Sequence, residues 1–166
     1  MVVVTIIGIL AAIAIPNYIV MRERTHQAAV KENMHSTQVC VNAFSIDTHG
    51  LYPSDVNTSG QGFGYYFPGG DEDGQSVLGT MPTNPYTGRE MVVAEFVVFN
   101  YAAQNDNSNP GIPGPNYLNL GGAGFIGYGR WSILGAYPWS EYGIIGSGKD
   151  HWSIKISGNQ VIVLHN

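Results

Sequence analysis

Two hydrophobic patterns meet within the first fifty or so residues. In residues 1–15 (MVVVTIIGILAAIAI) only Thr5 is polar, and no charge occurs before Arg22. Thirteen large apolar side chains lie between Met1 and Val20. At ~1.5–3 kcal/mol each for full burial, their cover is worth roughly 20–40 kcal/mol. Such a run must be buried in lipid, in other copies of the chain, or in each in turn. As a helix of about 1.5 Å per residue, residues 1–21 are just long enough to cross a hydrocarbon core. Ala12-Ile13-Ala14 has the A-x-A form of a secretory cleavage site, but no basic n-region precedes the apolar run.

Past Asn17 the pattern changes from all-round to one-sided. No Gly or Pro occurs between Asn17 and Thr48, and Val30, Met34, Thr37, Val41 and Phe44 follow one another at steps of four and three. That spacing places them on one face of a helix. Arg22, Glu23, Arg24, Lys31, Glu32, Asn33 and Gln38 fall on the other faces. His49-Gly50 with Pro53 beyond reads as a helix stop. The pattern predicts one helix of about fifty residues, with its second half packed through Val30, Met34, Val41 and Phe44. Its first half projects bare, with Val3, Ile6, Ile7, Gly8, Leu10, Ile13 and Pro16 as the positions expected to pack in a helix bundle.

Residues 51–166 have no helical periodicity and are expected to form one small head. Residues 63–67 (FGYYF) are a candidate short strand, and 91–101 (MVVAEFVVFNY) a central one. Shorter strands are expected at 141–146, 151–156 and 160–165, the last two joined as a hairpin through Ser157-Gly158-Asn159, with Trp152, Ile154 and Ile156 sharing a face. The Asn-, Pro- and Gly-rich stretch 104–138 reads as a long irregular connection. The fold class is therefore α+β: a long N-terminal helix (1–50) whose C-terminal half packs on a small antiparallel sheet in the head (51–166).

MVVVTIIGILAAIAIPNY resembles the N-terminal segment of type IV pilins and of the pseudopilins of type II secretion. The resemblance covers about the first quarter of the chain. It implies an inner-membrane precursor cut by a prepilin peptidase, methylated at its new N-terminus, and moved by the pilus assembly machinery into a helical homo-oligomeric filament at the cell surface. Gly8 and Pro16 match the family's helix-weakening positions. Pro16 cannot donate to the backbone ladder and Gly8 lowers helix propensity, so local physics agrees. The family's processing site, Phe and Glu are expected just upstream of Met1, the Glu two residues before it. A start set too late, or a chain given from its first ordered residue, accounts for that better than a shorter protein. Residues 82–88 (PTNPYTG) look like the P-x-(N/D)-P-(aromatic)-x-G segment before the sheet in many pilin-like proteins.

Composition narrows the chemistry. Net charge is −5 with seven Lys plus Arg, which gives no electrostatic footprint for nucleic acid. The single Cys40 excludes an internal disulfide. Residues 122–127 match G-x-G-x-x-G without a preceding strand or a following helix, and 143–149 match G-x-x-x-x-G-K with Asp150 in place of Ser or Thr. The five His residues share no ligand spacing, no nucleophile–base set stands out, and neither enzyme activity nor a cofactor is expected. Asp71 and Asp73, in an acidic Gly-containing turn, are candidate Ca²⁺ ligands, with a solvated turn as the other reading. Asn57-Thr58-Ser59 is a glycosylation sequon. Tyr117, Tyr128, Trp131 and Trp139 are candidate glycan contacts, which would suit a secreted or anchored carbohydrate-binding module. The preferred expectation is a pilus subunit, with a type II secretion pseudopilin next.

Overall fold

The computed structural model of the chain describes residues 1–71, 77–100, 119–132, 137–154 and 164–165. Helix α1 spans Val2–Asp47 and is unbroken at Pro16. It ends through a left-handed reversal: φ is 60° at His49 and 95° at Gly50, and the Gly50 N–H donates to the Ser45 carbonyl at 2.8 Å. Its buried residues are Val30, Asn33, Met34, Thr37, Cys40, Val41 and Phe44, all in the C-terminal half and on one face.

Strands β1 (Phe96–Asn100), β2 (Ile126–Trp131), β3 (Glu141–Gly146) and β4 (Leu164–His165) form one sheet in the order β1-β2-β3-β4. The β2–β3 and β3–β4 pairs are antiparallel, but β1 runs parallel to β2 with Phe96 opposite Ile126. The α+β class holds, and the sheet expected to be antiparallel is mixed. A parallel pair needs a crossover of a dozen residues or more, and the chain from 101 to 125 supplies that length.

Strand β2 lies inside the stretch read from sequence as irregular. Its glycines disguised it. A Cβ on Gly127 would come within 2.7 Å of Ile145 Cγ1 and 3.0 Å of Leu120 Cδ2, so this glycine lets neighbouring layers approach. On the other face Ile126 and Tyr128 are fully buried. At the end of β3 a Cβ on Gly146 would meet Val30 Cγ1 at 2.5 Å and Met34 Sδ at 2.9 Å. This glycine seats the sheet directly on the helix. Further along α1, Tyr142 Oη donates to Asn42 Oδ1 at 2.9 Å.

Three other expectations are corrected. Phe63–Tyr66 is a 3-10 turn, not a strand, held as Phe63 and Gly64 N–H donate to the Asp55 and Val56 carbonyls. Gly64 lies so close that a Cβ would be 2.5 Å from Val56 O. The strand expected over 91–101 as a central one begins only at Phe96, after a 3-10 turn at Val93–Glu95, and among the described residues it lies at the edge of the sheet, paired with β2 alone. His151 takes φ of 67°, which bends the backbone, so Trp152 is exposed while Ile154 is buried, and Trp152 and Ser153 make only isolated bridges. Residues 155–163, including the expected 157–159 hairpin and Ile156, lie outside the described residues.

The core joins the helix stripe to an aromatic group. Phe63 packs 5.0 Å from Tyr128 and 5.9 Å from Phe96, with Phe67 6.1 Å from Phe96, ring centre to ring centre. Val30, Met34, Cys40 and Val41 belong to the same buried cluster, and Phe44 is buried beside it against Tyr66.

Candidate functional site: the projecting helix and its clasp

Every large apolar side chain from Val2 to Met21 is 52–73% exposed. Val3, Ile6, Ile7, Leu10 and Ile13 are all in this set, and Gly8 faces open space. An 18-residue window here has a mean hydropathy of 2.3 and none of it is buried. The helix is therefore long and apolar enough to cross a membrane, and the head core contains none of this segment. Nothing among the described residues covers it.

The helix is gripped just beyond this run. Residues 82–88 form a turn, closed as Gly88 N–H donates to the Asn84 carbonyl at 2.8 Å. The turn holds α1 at three points. Asn33 Nδ2 donates to the Thr83 carbonyl at 2.8 Å, Tyr86 Oη donates to Glu23 Oε1 at 2.6 Å, and the His26 ring stacks on Tyr86 at 4.9 Å. Gln27 Nε2 supports Glu23 from one turn along at 3.1 Å. Burial first, and then the hydrogen bond and charge of Glu23, raise the Tyr86 phenol well above its ordinary value. Tyr86 thus keeps its proton and remains a donor.

The clasp is itself anchored in the interior. Asn84 is fully buried; its Nδ2 donates to Glu95 Oε1 at 3.2 Å and to the Ala123 carbonyl at 3.0 Å, while its Oδ1 accepts from the Tyr86 N–H at 2.9 Å. Glu95 is also buried, and its Oε2 accepts from the Val92 N–H. A buried acid is tolerable when its oxygens are occupied in this way. An open groove of about 620 Å³ at the junction is bounded by Ile19, Val20, His26, Tyr86 and Lys149.

Sequence reading placed Glu23 among solvated helix positions and gave His26 and Tyr86 no pairing. Glu23 and Gln27 lie on one face four residues apart, and the aromatic in the Pro-rich turn was the available signal for a partner. The packing residues Val30, Met34, Val41 and Phe44 are all buried. Pro16 lies in the continuous projecting helix.

The other candidate chemistry disperses. Asp71 donates its N–H to Val77 O at 2.9 Å, Asp73 lies outside the described residues, and no group of three metal-ligating side chains occurs among those described. Gly122–Gly127 leads into β2, and Gly143 to Gly146 belong to β3, so neither forms a phosphate-cradling loop before a helix. Tyr128 is fully buried with its hydroxyl on the Pro53 carbonyl, and Trp139 is buried with its indole N–H on Ser54 Oγ. Neither offers a free face to a sugar. Tyr117 and the Trp131 side chain lie outside the described residues. Cys40 is buried, its thiol 3.4 Å from the Tyr66 carbonyl, and burial pushes its pKa up to about 12. No protein family, curated protein or solved structure matches this chain.

Proposed function

We propose that this chain is a structural subunit of a type IV pilus-like filament, held in the inner membrane through its apolar helix and assembled by packing that helix against those of other copies. The observation that carries the reading is the bare run from Val2 to Met21 beside a head whose core, among the described residues, contains none of it. Lipid covers such a surface before assembly, and a bundle of like helices covers it afterwards. The resemblance of residues 1–18 to pilin N-termini supports the same reading. The clasp at Glu23, His26 and Tyr86 would fix the angle at which the helix leaves the head.

The test is mass spectrometry on filaments sheared from cells expressing the natural gene, reading abundance and the N-terminal peptide together. A dominant chain with a methylated N-terminus supports a major pilin. The same N-terminus confined to the envelope fraction favours a pseudopilin. Soluble protein beginning at Ile15 overturns the proposal, because the apolar run is then a cleaved signal.

A further inference from the structure

Arg130, on β2, has its guanidinium over the Trp139 ring, 4.7 Å from the centroid. Its Nε is buried and finds no acceptor among the described residues. Asp55 is near enough to act on it through space. That carboxylate, however, already accepts the Asn57 and Thr58 N–H groups and the Thr58 hydroxyl. Burying the Nε–H without an acceptor costs stability, and in this partly buried side chain the Nη groups are the donors a planar anion in the cleft would meet. Arg130 opens onto a cleft of about 350 Å³ with Val93, Phe96 and Val98 as apolar lining and Asp55 and Asn57 as polar lining. Arg130 pairs with Tyr142, whose hydroxyl reaches Asn42, so the cleft lies toward the C-terminal end of α1 and away from the projecting half.

We infer that this cleft binds a hydroxylated carboxylate of the hexuronate class, its carboxylate on Arg130, its hydroxyls on Asp55 and Asn57, and its apolar ring face on Val93 and Val98. Asp55 makes the choice specific. A negative charge at the rim disfavours a doubly charged phosphate monoester more than a singly charged carboxylate, and Asp55 Oδ2, which among the described residues accepts only the Thr58 hydroxyl, keeps a lone pair for a ligand hydroxyl. The volume suits one sugar residue. Trp139 backs the guanidinium and positions it. The inference is independent of filament assembly, since none of these residues lies on α1.

The experiment is a titration of the full chain, held in a sugar-free amine-oxide detergent, with sodium glucuronate, sodium acetate and glucose. Binding is followed calorimetrically and through the Trp139 indole N–H resonance, assigned with Trp139→Phe. The expected result is saturable millimolar binding of glucuronate, weaker binding of acetate and none of glucose. Arg130→Gln should weaken glucuronate about tenfold or more, the loss of a charge-assisted pair. Arg130→Lys keeps the charge without the fork, and should also weaken it if Arg130→Gln proves unfolded. Equal binding of acetate and glucuronate overturns the sugar assignment. Absence of saturation, or unchanged affinity in both variants, overturns the site.

Discussion

The seat of the sheet on the helix is tested most directly at Gly146. A Cβ there would lie 2.5 Å from Val30 Cγ1 and 2.9 Å from Met34 Sδ, against the ~3.5–4.0 Å of an ordinary carbon contact. Met34 ends in a flexible thioether that can move aside, whereas the Val30 methyl is fixed by its branched Cβ. Gly146→Ala should therefore destabilise by about 1–3 kcal/mol, the usual range for overpacking. Val30→Ala alone should cost about 2–3 kcal/mol, from two lost carbons and the space they leave. Combined, the new methyl occupies part of the vacated volume. The double variant should accordingly be more stable than the sum of the singles by about 1–2 kcal/mol. Equilibrium urea unfolding of the full chain in detergent, followed by tryptophan fluorescence, measures all corners of the cycle. Additivity within ~0.5 kcal/mol would refute direct contact between Gly146 and Val30.

Three further outcomes follow from the same packing. Because burial raises Cys40 from 9.0 to about 12, its stabilising share is complete below pH 9 and is lost as pH rises from there toward 12; Cys40→Ala should flatten that alkaline decline in urea titrations, and a thiol reagent at pH 8 should label Cys40 only after unfolding. Tyr86→Phe removes the donor to Glu23 and should cost roughly 0.5–1.5 kcal/mol, with hydrogen exchange accelerating at the amides of residues 23–27 more than at 37–44. Ile13→Lys places a charge well inside the apolar run at a cost of about 2.5–3.5 kcal/mol for insertion, and membrane flotation of expressing cells should show a larger unanchored fraction.

The helix was legible because two strong periodic signals specify it. The uniform run to Met21 and the stripe from Val30 to Phe44 each state which environment the side chains require; the stripe residues are all buried, and with them Cys40 and Asn33, the latter drawn from a polar face by its bond to the Thr83 carbonyl. The head was harder, for reasons tied to particular residues. Gly127 and Gly129 lower the apparent strand propensity of β2 although Ile126 and Tyr128 alternate inward between them. The parallel β1–β2 pair depends on where a long connection returns, which local pattern does not encode. His151 sits at positive φ without being glycine, so the expected strand is interrupted where no turn residue announces it. The clasp was half visible: the rigid Pro82 to Gly88 turn stands out, but its engagement with Glu23 and His26 spans about sixty residues and is a tertiary fact.

The stripe on α1 also has a mechanical consequence. Between Val30 and Phe44 the helix rises about 21 Å, at ~1.5 Å per residue, along the surface of the head. A pull on the projecting end acts along that line, so it shears the whole interface at once instead of peeling it open one contact at a time. Load is shared from the Tyr86–Glu23 and Asn33–Thr83 bonds through Gly146 against Val30 to Tyr142 on Asn42. Resistance to that pull is set by the length of helix laid against the head, and the weakest direction is a sideways lift at the Tyr86 end.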